Sequence, residues 1–315
     1  MSMAKPLSMS LAGIVGVVAL SAGCATSGST VDSDPRPRVF VCVPPQAFLV
    51  ERIAGDTVRL SVLVGPGQSP HTFEATPRQL AALSEARLFL ALDFPFEQQL
   101  LAKTAATARS MKIVNTAQGV PRRGLTALEA AESGHGLGPA GEQDHDHAPG
   151  AVDPHIWLAP RLLIHQAEIV RDALRELDPS HAVDFERNCA QLVDELEALD
   201  RLLKHELAVV RGREFFVFHP AWGYFADAYG LQQVAIENEG KEPSIRELAR
   251  LIDRARAAHA RLILVEPQYS RRTADALARE VTARVETIDP YAQDVPQTLK
   301  HLAQLILQSN QGALP

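Results

Sequence analysis

Residues 178–211 read DPSHAVDFERNCAQLVDELEALDRLLKHELAVVR. Phe185, Cys189, Leu192, Leu196, Leu199, Leu203, Leu207 and Val210 follow one another at spacings of 4, 3, 4, 3, 4, 4 and 3. That pattern draws one apolar stripe along a helix. About 32 residues at ~1.5 Å each make a rod of roughly 48 Å, long enough to run the length of two domains. So stiff a connection predicts small tilts and loop movements on ligand binding rather than wide closure. Apolar strand-like runs flank it in two sets: 38–43, 58–64, 88–92 and 112–114 before it, and 214–218, 231–236, 261–265 and 284–288 after it. Each run is continuous rather than alternating, as expected of strands covered on both faces. Helical patterns lie between them, such as 76–86, with Pro77 near its start, and 244–259, where Ser244 stands as a cap with Glu247 three residues on. The reading is an α/β chain: two domains with mostly parallel sheets joined by one long rigid helix, divided as 38–178, 179–211 and 212–315.

Composition narrows the functional classes. The 315 residues carry a formal charge of −7, which argues against a nucleic-acid backbone as partner. Aromatic residues are only 5%, too few for a base-stacking platform. Three cysteines make no disulfide framework. Cys42 falls in an apolar strand and Cys189 on the helical stripe, so both read as small core residues, and nothing in the sequence requires a disulfide between them.

Residues 11–22 form an apolar run too short to span a bilayer but suited to a secretory signal peptide. It ends in Leu20-Ser21-Ala22-Gly23-Cys24, which resembles a bacterial lipobox with Cys24 as the lipidated residue; ordinary cleavage after a small residue is the alternative. The expectation is a signal peptide at 1–23, then a Ser/Thr/Asp/Pro-rich tether at 24–37. A single lipid would hold the protein at a membrane surface.

Eleven histidines sort by position. His165, His181, His205, His259 and His301 lie on helical patterns among charged neighbours and read as surface residues. His135, His145 and His147 fall in a long irregular stretch, 115–154, with seven glycines. Loops of that length inside a compact domain are usually functional or disordered. His71 follows the run 58–64, in Ser69-Pro70-His71. His219 ends the run 214–218, before Pro220, and Glu266 and Asp289 end the runs 261–265 and 284–288, each also before a proline. His155, in Asp153-Pro154-His155, stands where the long loop returns to regular structure. Ligands of open parallel sheets bind outside the carboxyl ends of the strands. Metal-competent groups from both blocks at that edge therefore point to a metal site in the interdomain cleft. Three imidazoles and a carboxylate suit tetrahedral zinc, and imidazole-rich sites favour zinc over manganese or magnesium.

These residues also carry a resemblance. From about Val39 to the C-terminus the chain resembles the solute-binding proteins of bacterial metal-ion ABC importers, specifically the zinc-binding group (cluster A-I). The resemblance rests on Pro44-Pro45, Ser69-Pro70-His71 with Glu74-Ala75-Thr76-Pro77, Asp153-Pro154-His155-Ile156-Trp157-Leu158, His219-Pro220-Ala221-Trp222-Gly223-Tyr224, Glu242-Pro243-Ser244, Glu266-Pro267-Gln268 and Asp289-Pro290 in that order. It implies His71, His155 and His219 as ligands of Zn²⁺. The fourth position falls to Asp289 or a water, and Glu266 stands behind an imidazole. The family aspartate is usually followed by Pro-Leu-Gly, whereas Pro290-Tyr291-Ala292 follows here. The loop histidines His135, His145 and His147 resemble the insertion of zinc-binding members and offer auxiliary metal capture. The implied function is an extracytoplasmic receptor, usually monomeric, that passes zinc to an ABC permease and is not an enzyme. A manganese or iron receptor of the same fold is the alternative. A zinc hydrolase is the rival from another class, but the sequence has no H-E-x-x-H helix and no G-x-S-x-G elbow.

Overall fold

A computed structural model describes residues 34–124, 152–237 and 241–310. Its first sheet contains β1 (Arg38–Val41), β2 (Arg59–Val62), β3 (Leu88–Ala91) and β4 (Lys112–Asn115) in the spatial order β2-β1-β3-β4. The second contains β5 (Glu214–Val217), β6 (Gln232–Ala235), β7 (Leu262–Val265) and β8 (Arg284–Thr287) in the order β6-β5-β7-β8. Every pairing is parallel. The continuous apolar runs have the expected cause: inner strands β3 and β7 are buried at every position, while edge strands β4 and β8 are partly open.

Helices α1 (Pro44–Ala54), α2 (Pro77–Ser84) and α3 (Pro95–Thr104) belong to the first lobe. Then come α4 (Pro160–Leu177) and α5 (Ala182–Glu206), which pack on each other, and in the second lobe α6 (Gly223–Tyr229), α7 (Ile245–Ala257), α8 (Arg272–Val281) and α9 (Val295–Asn310). The Ser244–Glu247 capping signal forms a complete box, and a second box, not singled out from the sequence, forms at Thr76. Thr76 and Gln79 exchange side-chain and backbone hydrogen bonds at the start of α2, and Ser244 and Glu247 do so at α7.

The linking helix is shorter than its stripe. Pro179–His181 and Leu207–Val210 are single 3-10 turns, so the α-helical part has 25 residues and a length of about 37 Å. Pro179 cannot donate a backbone hydrogen bond, and the Asp178 side chain accepts from Ser180 N instead, starting a turn rather than a helix. The stripe itself is buried throughout, from Phe185 to Val210.

The two sheets also share a core. Phe215, Val217, Leu262 and Leu264 on one face of the second sheet belong to the same apolar cluster as β1, β3, α1, α5 and α9. The opposite face, with Phe216, Phe218, Ile263 and Val265, forms a separate cluster under α7 and α8. From Arg36 onward the chain is one compact unit that includes both lobes. Cys42 and Cys189 are buried and free. No helix among the described residues is long and apolar enough to cross a membrane.

Truncating the stripe should reveal its weight. Leu192→Ala, at a fully buried position, is expected to cost about 2–5 kcal/mol in denaturant unfolding. Leu202→Ala, on the exposed face of the same helix, should stay within about 0.5 kcal/mol.

Candidate metal centre

Parallel pairing sends the carboxyl ends of all four strands of a sheet to one edge, and each residue of the site follows such an end. His71 comes after β2, in a 3-10 turn where Ser69 Oγ accepts from His71 N at 3.3 Å. Its ring meets that of Phe94, just after β3, edge to face with centroids 6.1 Å apart. His155 comes after β4, beyond the long insertion. His219 comes directly after β5. The three ring centroids are 5.8, 4.9 and 5.3 Å apart, and one nitrogen from each lies within 4.8 Å of the others.

Two of the imidazoles are held by carboxylates. Asp153 Oδ1 accepts the His155 backbone N–H at 2.9 Å and meets Nδ1 at 2.8 Å. Glu237 Oε1, after β6, meets His219 Nδ1 at 2.7 Å. A carboxylate at Nδ1 fixes the tautomer that leaves Nε2 with its lone pair toward the cluster. His219 Nε2 is buried there with no hydrogen-bond partner, a donor atom waiting for an electron acceptor. A Tyr269 ring stacks on His219 at 5.4 Å.

The sequence of residues 39–308 matches the family described as zinc-uptake complex component A, periplasmic, or ZnuA. The chain belongs to that family. A crystal structure of ZnuA shares 39% sequence identity and superposes with a TM-score of 0.77, covering 87% of this chain and 99% of that one. The high-affinity zinc uptake system protein ZnuA of Bacillus subtilis is 27% identical, over 87% of this chain and 84% of the relative. The zinc-binding lipoprotein AdcA of Streptococcus pneumoniae is 28% identical over 82% of this chain, which spans about half of AdcA's length. The resemblance read from the motifs is thereby shown, and so is the two-lobed α/β fold.

Within this family member the structure gathers His71, His155 and His219 but not Asp289. Asp289 Oδ1 accepts from Gln268 Nε2 at 3.1 Å and from Tyr291 N at 3.0 Å, so it holds the corner after β8. The side chain that reaches the histidines from that corner is Tyr291, whose hydroxyl lies 2.8 Å from His155 Nε2 and 3.5 Å from His71 Nε2. Glu266 lies beneath His219 and accepts its backbone N–H at 3.2 Å, while Glu237 meets the ring. The imidazole-orienting role expected of Glu266 thus falls geometrically to Glu237. Asp153, Glu237 and Tyr291 were not singled out from the sequence. Glu237 carried the same signal as Glu266 and Asp289, an acidic residue closing an apolar run. His135, His145, His147 and Cys24 lie outside the described residues.

Burial dominates the electrostatics. It pushes the Glu266 carboxyl up to about 8, with the Glu237 charge adding to the effect and the His219 backbone N–H opposing it. Asp153 is pushed up to about 7 by burial, against the nearby Arg123 guanidinium. Burial holds His155 well below the ordinary histidine value, so its ring is neutral, and it raises the Tyr291 phenol well above its own.

The sign for Glu266 follows directly. Its folded value lies above the ordinary 4.5, so the folded state keeps a proton that the unfolded chain has released. That stability is present at low pH and is lost as pH rises toward and past about 8. His155 acts in the opposite window: below about pH 6.5 the unfolded chain takes a proton that the folded ring refuses. The zinc-free protein should therefore lose melting temperature on both sides. Glu266→Gln should reduce the alkaline loss, the remainder belonging to Asp153, and leave the acid limb in place, as read by thermal unfolding across pH.

Proposed function

We propose that the protein is an extracytoplasmic receptor that binds one Zn²⁺ through His71, His155 and His219 and delivers it to an ABC-type permease. The observation that carries this reading is the convergence of three imidazole nitrogens, with the tautomers of His155 and His219 set by buried carboxylates and His219 Nε2 buried without a hydrogen-bond partner. Family membership supplies the context of zinc uptake and the periplasm. An imidazole-rich donor set favours zinc over harder divalent ions. Asp289 or a water would complete the shell, Asp289 by offering the carboxylate oxygen not engaged by Gln268 and Tyr291. The protein binds and releases its ion without transforming a substrate.

Export by residues 1–23 and lipid attachment at Cys24 complete the reading, in line with a relative that is named a lipoprotein. The division into 38–178, 179–211 and 212–315 stands as the proposed domain scheme, with the ion held where the two lobes meet. Auxiliary capture by His135, His145 and His147 belongs to the same scheme.

Competitive titration of the chelator-stripped protein against a calibrated dye should find one tight zinc equivalent and much weaker manganese. Extra, weaker zinc equivalents would report the loop histidines. Affinity should fall as pH is lowered from about 8 to about 5.5, because imidazoles must be deprotonated to ligate. Glu237→Ala should weaken zinc binding by about 10–100-fold through loss of the His219 orienting partner. A manganese preference, or affinity flat across that pH range, would overturn the three-imidazole site.

A further inference from the structure

Tyr291 is outside the ligand set proposed above, yet its hydroxyl is the one side-chain group, among the described residues, hydrogen-bonded to two of the three histidines. The direction of those bonds follows from the other side of the His155 ring. Asp153 Oδ1 accepts both the His155 backbone N–H and Nδ1. An oxygen that already accepts the backbone N–H acts as an acceptor toward Nδ1 as well, whether the group is ionised or carries its proton on Oδ2, so Nδ1 carries the ring proton and Nε2 carries the lone pair. The Tyr291 O–H, 2.8 Å away, therefore donates to His155 Nε2. The phenol oxygen keeps acceptor capacity toward His71 Nε2 at 3.5 Å.

The hydroxyl is aimed by a rigid corner. Tyr291 N donates to Asp289 Oδ1 at 3.0 Å, and the Trp157 indole N–H donates to Pro290 O at 2.8 Å. The Trp157 and Tyr291 rings lie against each other with centroids 5.6 Å apart, and Tyr291 is 6% exposed. Trp157 follows the first sheet and Tyr291 follows the second, so the indole hydrogen bond ties the two lobes beside His155.

We infer that Tyr291 is an internal competitor for the ion: in the zinc-free protein its hydroxyl occupies the His155 Nε2 lone pair, and it reclaims that nitrogen as zinc leaves. The inference rests on the zinc-site reading above. A lone pair given to a metal cannot also accept a hydrogen bond, so entry of the ion breaks the Tyr291–His155 contact and departure restores it. A delivery protein gains from such a group, because each step of release is compensated by a bond made within the site. Tyr291 is then a positioning residue that weakens capture modestly and speeds release.

The test is Tyr291→Phe, which keeps the ring against Trp157 and removes only the hydroxyl. Zinc affinity is read by chelator competition and zinc release by stopped-flow transfer to excess chelator. The ¹⁵N signal of the His155 imidazole is read in the zinc-free protein. The expected result is about 3- to 10-fold tighter zinc binding with correspondingly slower release, the range set by one net hydrogen bond. The Nε2 resonance should move downfield, as for a lone pair without a donor. Weaker zinc binding in the variant would make the hydroxyl a ligand and overturn the competitor role. So would unchanged affinity with an unmoved resonance. Wild-type protein without a tight zinc site would instead overturn the function itself, whereas a tight wild-type site unaltered by the variant overturns only the role of Tyr291.

Discussion

Burying the stripe from Phe185 to Val210 forces two sheets onto one core, because α5 presents apolar side chains to α1 of the first lobe and to α9 of the second. The cost of exposing such a stripe rises with its area, about 25 cal/mol for each Å² of apolar surface. The lobes are thereby held with their carboxyl strand ends toward each other. Every group at the candidate metal centre follows one of those ends, so the spacing among His71, His155 and His219 is inherited from the common core. A joint that separated the lobes would have to open apolar surface as well as rotate a backbone.

That shared core explains which parts of the molecule were legible in its sequence. The eight strands and the Ser244 cap could be read locally, because burial of inner strands leaves continuous apolar runs and Ser244 stands three residues from Glu247. The three histidines were legible as residues that end strands or close loops beside prolines. Their partners were harder. Glu237 lies 18 residues from His219 and joins it only because β5 and β6 are neighbours. Tyr291 meets His155 across 136 positions, and only the facing of the two sheets makes the contact. The ends of the linking helix were over-read for another reason: apolar spacing reports which face is buried, and a 3-10 turn continues that face without continuing the α-helix.

Asp153 and Glu237 stand behind the rings of the candidate centre, each meeting an Nδ1, while one nitrogen of each histidine faces the other two. Asp289, at the sequence position expected to supply negative charge, is turned to the backbone of its own corner. The inner surface is thus made of nitrogen lone pairs and a phenol, a softer lining than its acidic surroundings suggest.

Arg123 and the residues around it close the base of the long insertion. Arg123 O accepts from Asp153 N at 2.9 Å, Gly124 and Val152 form an antiparallel bridge, and the Arg123 guanidinium reaches Asp227 on α6 at 3.0 Å. It lies so close over Gly223 that a Cβ there would come within 2.5 Å of it. Once chain ends are pinned together, doubling the loop between them costs only about 0.6 kcal/mol. The position of His155, three residues beyond the bridge, is therefore set by this closed base, and the length of chain between Gly124 and Val152 bears on it only weakly.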